Sequence, residues 1–258
     1  MSEKEQNFTA KKSTRRNFLK NSGLTLGGLV LGGAVTSLVV KDTEETVTTS
    51  GPAHSANQNE TVNHNKALMF FTPEQYSTIS AATEQIFPET EVGPGAEALL
   101  VPYFIDHQLA GAYGLMSKEY TKGPFYPKEA TPLFGHQTHL TRQDIFVLGI
   151  NLLNSEATKR YEKKFYELEA EQQIEILTAV EADEVELNAA TTPSYFFKLL
   201  RAATLEGVYS DPLYGGNKDM GGWKMKKFPG HQMSYANMVE KEEFVEIEPQ
   251  SLTAQHNH

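Results

Sequence analysis

Thr192-Pro193-Ser194-Tyr195-Phe196-Phe197-Lys198-Leu199-Leu200-Arg201-Ala202-Ala203-Thr204-Leu205-Glu206 decides the fold class. Thr192 is a helix-capping type, and Pro193 stands at the first helical position, where its missing N–H costs nothing. From Tyr195 to Glu206 the segment is apolar almost all round. A helix on a protein surface keeps one polar face; a helix apolar on nearly every side must be surrounded. This one is therefore expected at the centre of a bundle.

The flanking segments supply its neighbours. Thr72-Pro73-Glu74-Gln75 places a cap, a proline at N1 and a glutamine at N3, a capping box. The helix it opens should bury Tyr76, Ile79, Ile86 and Phe87 and stop at Pro88. Ala96–Leu109 is predicted as a second helix, with Leu99, Leu100, Phe104 and Ile105 inward and Gly111 ending it. Thr141-Arg142-Gln143-Asp144 opens a third, with Ile145, Leu148, Leu152 and Leu153 on one face. Glu156–Tyr166 and Glu171–Glu184 read as two more, the latter with Ile174, Leu177 and Val180 at helical spacing. After Gly207 the chain turns irregular, with Pro212, Gly215, Gly216, Gly221, Gly222, Pro229 and Gly230 close together. No alternating strand pattern of useful length and no internal repeat occurs. The expected fold is all-α, a single irregular bundle of about six helices with long ordered loops.

The N-terminus has another purpose. Thr14-Arg15-Arg16-Asn17-Phe18-Leu19-Lys20 is a complete twin-arginine motif, followed by an uncharged run from Asn21 to Val40. Arg15, Arg16, Phe18 and Leu19 are its signal residues. This route carries proteins already folded, commonly with a cofactor or a partner attached. From Gly23 to Val40 the run holds five glycines and three hydroxyl residues, so it is only mildly hydrophobic. Crossing a bilayer core takes about 20 apolar residues, which leaves both cleavage and retention as an anchor open. Residues 1–41 are thus assigned as signal segment or anchor helix. Residues 42–66 contain only Val47 and Val62 as aliphatics larger than alanine, too few to offset ordering entropy, and are expected to be a flexible linker. Residues 67–235 form the helical domain. Residues 236–258 are expected to be a mostly disordered acidic tail, with Val245 and Ile247 as local docking points.

Residues 1–41 hold seven Lys/Arg against two Asp/Glu, and the remainder sixteen against thirty-one. The exported body is therefore acidic, which argues against nucleic-acid binding and against adhesion to anionic lipid. The chain has no cysteine, which excludes disulfides, thiolate-held iron–sulfur clusters, c-type haem attachment and a cysteine nucleophile.

Candidate chemistry is sparse. Gly93-Pro94-Gly95-Ala96-Glu97-Ala98 fits a lax dinucleotide pattern, but a helix end precedes it instead of a strand, so it reads as a turn. His136 and His139 have no third metal ligand at convincing spacing. Glu181, Asp183, Glu184 and Glu186 lack the spacing and glycine of a calcium loop. No metal or cofactor site is expected on this chain. The dense segment runs from Leu205 through Asn217 to Gly222-Trp223-Lys224 and holds the chain's single Trp. Its glycines allow close backbone approach, and Trp and Tyr are favoured interface anchors. It reads either as a packed loop closing the bundle or as a docking surface using Tyr209, Asp211, Tyr214, Asn217 and Trp223.

At these residues the chain resembles the small subunit (subunit 3) of membrane-bound gluconate 2-dehydrogenase and related flavin-dependent sugar and alcohol dehydrogenases. Four stretches between about Phe71 and Gly230 carry the resemblance. They are Ile86-Phe87-Pro88 through Val101-Pro102-Tyr103-Phe104-Ile105-Asp106; Gly123-Pro124-Phe125; Leu140-Thr141; and Asp211-Pro212-Leu213-Tyr214-Gly215-Gly216-Asn217 with Gly222-Trp223-Lys224 and Pro229-Gly230. Two departures occur: Lys227 stands where a glycine usually precedes Phe-Pro-Gly, and Val92-Gly93-Pro94-Gly95 replaces a shorter Thr-Pro-Gly turn. The resemblance implies a non-catalytic accessory subunit. FAD would sit on a large flavoprotein subunit, haem c on a cytochrome c subunit, and this chain would engage the twin-arginine translocase for its partner. Periplasm or the outer face of the cytoplasmic membrane is the implied location. The alternative is a stand-alone exported enzyme or small-ligand-binding protein using the Asp211–Trp223 loop.

Overall fold

The computed structural model describes residues 66–120, 122–126 and 135–252. The twin-arginine segment, residues 42–65 of the linker and residues 253–258 lie outside the described residues. Six α-helices follow in chain order: α1 Pro73–Ile86, α2 Val101–Ala110, α3 Arg142–Tyr161, α4 Ala170–Glu181, α5 Pro193–Tyr209 and α6 Gly221–Lys226. Among the described residues there are two isolated bridges and no strand. The fold is all-α. No described helix is long and apolar enough to cross a membrane.

Helix α5 is the hub, as its composition demands: it packs against all five other helices. Thr192 caps it by accepting from Tyr195 N. The Phe196 ring is fully buried, meets Phe146 of α3 edge-on at 5.8 Å, and occupies the space a side chain on Gly149 would need. Burying such a ring stabilises the fold by roughly 1.5–3 kcal/mol. Where α5 crosses α2, a Cβ on Gly207 would lie 2.9 Å from Val101 and Phe104. That glycine therefore sits inside the helix and does not end it, and α5 runs on to Tyr209.

The capping box of α1 forms as expected, Thr72 Oγ1 accepting from Gln75 N and Gln75 Oε1 from Thr72 N. The start of α2 and the extent of α3 differ from expectation. Helix α2 begins at Val101 and not at Ala96, because Leu100 is left-handed (φ 60°). Pro102 explains the position, since in a helix begun at Ala96 its ring would collide with the carbonyl of Ala98. Glu156–Tyr161 continues α3 as one helix, which stops where Glu162 turns left-handed (φ 58°). Asn154 does not break it, because its side chain is used sideways: Nδ2 donates to Thr78 Oγ1 of α1 and Oδ1 accepts from Phe165 N. On α4 the buried positions are Gln173, Ile176, Leu177, Ala179 and Val180. Ile174, expected inward, is 48% exposed, and Gln173 takes the inward place by donating to the carbonyls of Phe165 and Leu168.

Three carboxylates tie elements together. Asp106 of α2 is completely buried and accepts from the backbone N–H groups of Met69, Phe70 and Phe71, which fastens the segment before α1. Glu84 accepts from Glu89 N and Glu97 N, closing the Gly93-Pro94-Gly95 turn. Asp183 accepts from Ser194 N and Oγ, joining the end of α4 to the start of α5. The run of acids after Glu181 thus contributes a cap.

Candidate functional site

The segment after α5 folds by local rules first. Asp211 accepts from Leu213 N at 2.9 Å and opens a short 3-10 turn, Pro212–Tyr214. Gly215 follows with φ 99°, a conformation that favours glycine. Asn217 is left-handed and wholly buried. Its amide donates to Ser210 O at 2.7 Å, and its oxygen accepts from Gly222 N at 2.8 Å. These two bonds pin the loop's return against the end of α5. The close approach needs glycine: a Cβ on Gly216 would strike the Gly207 carbonyl, and one on Gly222 the Val208 carbonyl. Residues 221–226, expected to be irregular, form α6 on this support.

Trp223, on α6, is 6% exposed. Its Nε1 donates to Tyr209 O at 2.8 Å, its ring meets Phe228 edge-on at 5.4 Å, and Gly230 leaves room for it. Tyr209 packs edge-on against Phe87. Of the five residues named for this loop, Tyr209, Asn217 and Trp223 are therefore turned into the chain. The exposed apolar surface is carried by Leu213 (48%) and Tyr214 (52%). Leu213 was not singled out by the sequence, where nothing separates it from a core leucine.

Asp211 has a second task. Besides Leu213 N, its carboxylate accepts from Ser251 Oγ at 2.6 Å and from Leu252 N at 3.0 Å. Alongside, Gly230 pairs with Gln250, through His231 N to Gln250 O and Gln250 N to Pro229 O. The tail expected to be mostly disordered from residue 236 is thus tied back onto the domain at 250–252. The backbone donors that make this possible lie about forty residues away, beyond the reach of local pattern.

Burial alone would raise the Asp211 pKa. Hydrogen bonds from Ser251, Leu252 and Leu213, with the charge of His231, outweigh it and hold the group below its ordinary value. A carboxylate with a depressed folded pKa contributes stability that is present above the unfolded value of about 3.9 and lost as pH falls through the folded one. Exchange protection of the Leu252 amide is therefore expected to persist from pH 7 to 5, to weaken only below about pH 3.9 and to disappear as pH falls through the lower folded value. In Asp211→Ala it should be absent throughout. Protection surviving in that variant would show that Gln250 and its partners hold the tail alone.

The histidine pair is not brought together with acids. His136 stacks on Tyr195 at 3.7 Å and contacts Thr191 Oγ1. Burial, with Lys198 adding to it, lowers its pKa. His139 is exposed.

The model of the family described as gluconate 2-dehydrogenase subunit 3 matches residues 73–230, well over half of the chain. The matched span starts at the first residue of α1, contains all six helices and ends at Gly230, beside the Trp223 ring. No curated protein and no solved structure matches the chain.

Proposed function

The chain belongs to the gluconate 2-dehydrogenase subunit 3 family, and from that membership we propose that it is the non-catalytic small subunit of an exported, membrane-associated, flavin-dependent dehydrogenase. The complex oxidises gluconate or a related sugar or alcohol. This chain carries no cofactor of its own; FAD resides on a large flavoprotein subunit and haem c on a cytochrome c subunit. Its tasks are to supply the twin-arginine signal, to travel through the translocase with the folded flavoprotein, and to stabilise that subunit at the outer face of the cytoplasmic membrane. The family match carries the reading, because the family is defined by a subunit of a dehydrogenase complex. The intact Arg15-Arg16-Asn17-Phe18-Leu19 motif supports the export step. The polar atoms of Asp211, Asn217 and Trp223 are engaged within the chain, which favours a docking loop over the stand-alone enzyme.

The test is to replace Arg15 and Arg16 with Lys, co-express the flavoprotein subunit proposed as its partner, and fractionate the cells. Both proteins, and the dehydrogenase activity, are expected to remain in the cytoplasm. Unchanged export of this chain would overturn the routing. Retention of this chain with flavoprotein still reaching the outside would overturn the escort role.

A further inference from the structure

Beyond residue 230, where the family match ends, the chain makes an excursion whose two ends are fastened. One end is fixed where His231 N donates to Gln250 O at 2.7 Å. The other is fixed where Ser251 and Leu252 donate to Asp211. Lys227 adds an ion pair to Glu246 at 2.8 Å. Between these ties four large apolar side chains are exposed, Met233 at 80%, Tyr235 at 45%, Val239 at 77% and Phe244 at 88%, while Met238, Val245 and Ile247 are half-buried. Single exposed apolar residues are ordinary, but several on one tethered loop mark an interaction surface. The same stretch carries Glu240, Glu242, Glu243, Glu246 and Glu248 against Lys241. Its returning part, with Lys224 and Lys227 of the α6 end, borders an open groove of about 560 Å³ lined by Phe244, Val245 and Ile247.

We propose that residues 232–249 are a docking arm for the catalytic subunit, which receives it on an apolar face rimmed by lysine or arginine. The proposal rests on the small-subunit reading and says which part of this chain makes the grip. Charge selects the occupant: with Glu246 held by Lys227, exposed apolar residues interleaved with Glu240, Glu242, Glu243 and Glu248 are repelled by an acidic surface and drawn to a basic one. Fastening both ends removes part of the ordering cost that a free tail would bear on binding. The Asp211 clasp ties Ser251 and Leu252, just past the arm, to the turn that exposes Leu213 and Tyr214.

The test uses the full chain co-expressed with its flavoprotein subunit. The double variant Val239→Ser/Phe244→Ser is expected to keep the wild-type melting temperature and to bind at least about tenfold more weakly. Glu242→Lys/Glu243→Lys should slow association and flatten its salt dependence. Ile174→Ser, an exposed apolar residue on α4, should change neither. If the wild-type complex forms and both arm variants bind normally, the arm assignment is overturned while the subunit reading stands. If the arm variants instead abolish self-association of this chain and leave the complex intact, the arm is a homotypic contact and the proposal fails. If the wild-type chain forms no complex, the subunit reading fails and takes this proposal with it.

Discussion

Trp223→Ala is expected to lower the unfolding free energy by about 3–5 kcal/mol, a fall in Tm of roughly 6–20 °C for a domain of this size. The ring is nearly enclosed, and its removal opens a cavity between Phe228, Gly230 and the end of α5. It also strips Tyr209 O of its donor. Tyr214→Ala is the informative companion. Half exposed, it should leave stability within about 0.5 kcal/mol of wild type. If Tyr214 anchors the catalytic subunit, its loss weakens the complex by about 2 kcal/mol or more, roughly thirtyfold. Thermal melts beside quantitative co-purification separate the two roles. A Trp223→Ala chain that melts normally but loses its partner would place the tryptophan at the interface, against its geometry. A Tyr214→Ala chain that binds normally would remove the 212–214 turn from the docking surface.

Asp106→Ala should be nearly as damaging. The carboxylate receives three backbone N–H groups, and bonds to a charged acceptor each contribute about 1.5–3 kcal/mol. Once freed, Met69 and Phe70 can turn to water, whereas the amide of Phe71 is buried. The expected cost is about 2–4 kcal/mol, less than the sum of three such bonds, because removing the carboxylate also removes the cost of burying its charge. Residues 67–71 should then exchange their amide hydrogens far faster, while α5, fastened by other contacts, keeps its protection. Asp106→Asn retains one acceptor oxygen and should lose less. Equal loss in both variants would mean that shape, not acceptance, holds the segment.

Asp106 also shows where sequence reasoning stops. In Val101-Pro102-Tyr103-Phe104-Ile105-Asp106-His107 it is an acid among apolar residues on a helix. A lone carboxylate in such a setting announces a buried partner, yet nothing nearby names one. The donors lie thirty-five or more residues upstream. The capping box at Thr72 and the cap at Thr192 were legible because donor and acceptor sit three residues apart. Ile174 was misplaced because a stripe at helical spacing fits either of two adjacent faces. Gln173 won the inward one by finding two carbonyls at the turn before α4.

By itself, then, the sequence determined the all-α class, the central place of the helix opened by Thr192-Pro193, the helix starts marked by the caps at Thr72, Thr141 and Thr192, and the subunit family. Each depends on neighbours within a turn or two of helix, or on a run of residue types that survives without coordinates. Only the tertiary structure decided that Trp223 and Asn217 face inward while Tyr214 faces out, and that the tail returns to Asp211. The aromatic and glycine content of residues 205–223 suits a packed loop and a docking loop equally. What separates them is which distant backbone carbonyls and amides come within hydrogen-bond reach, and that is fixed only when the helices have packed.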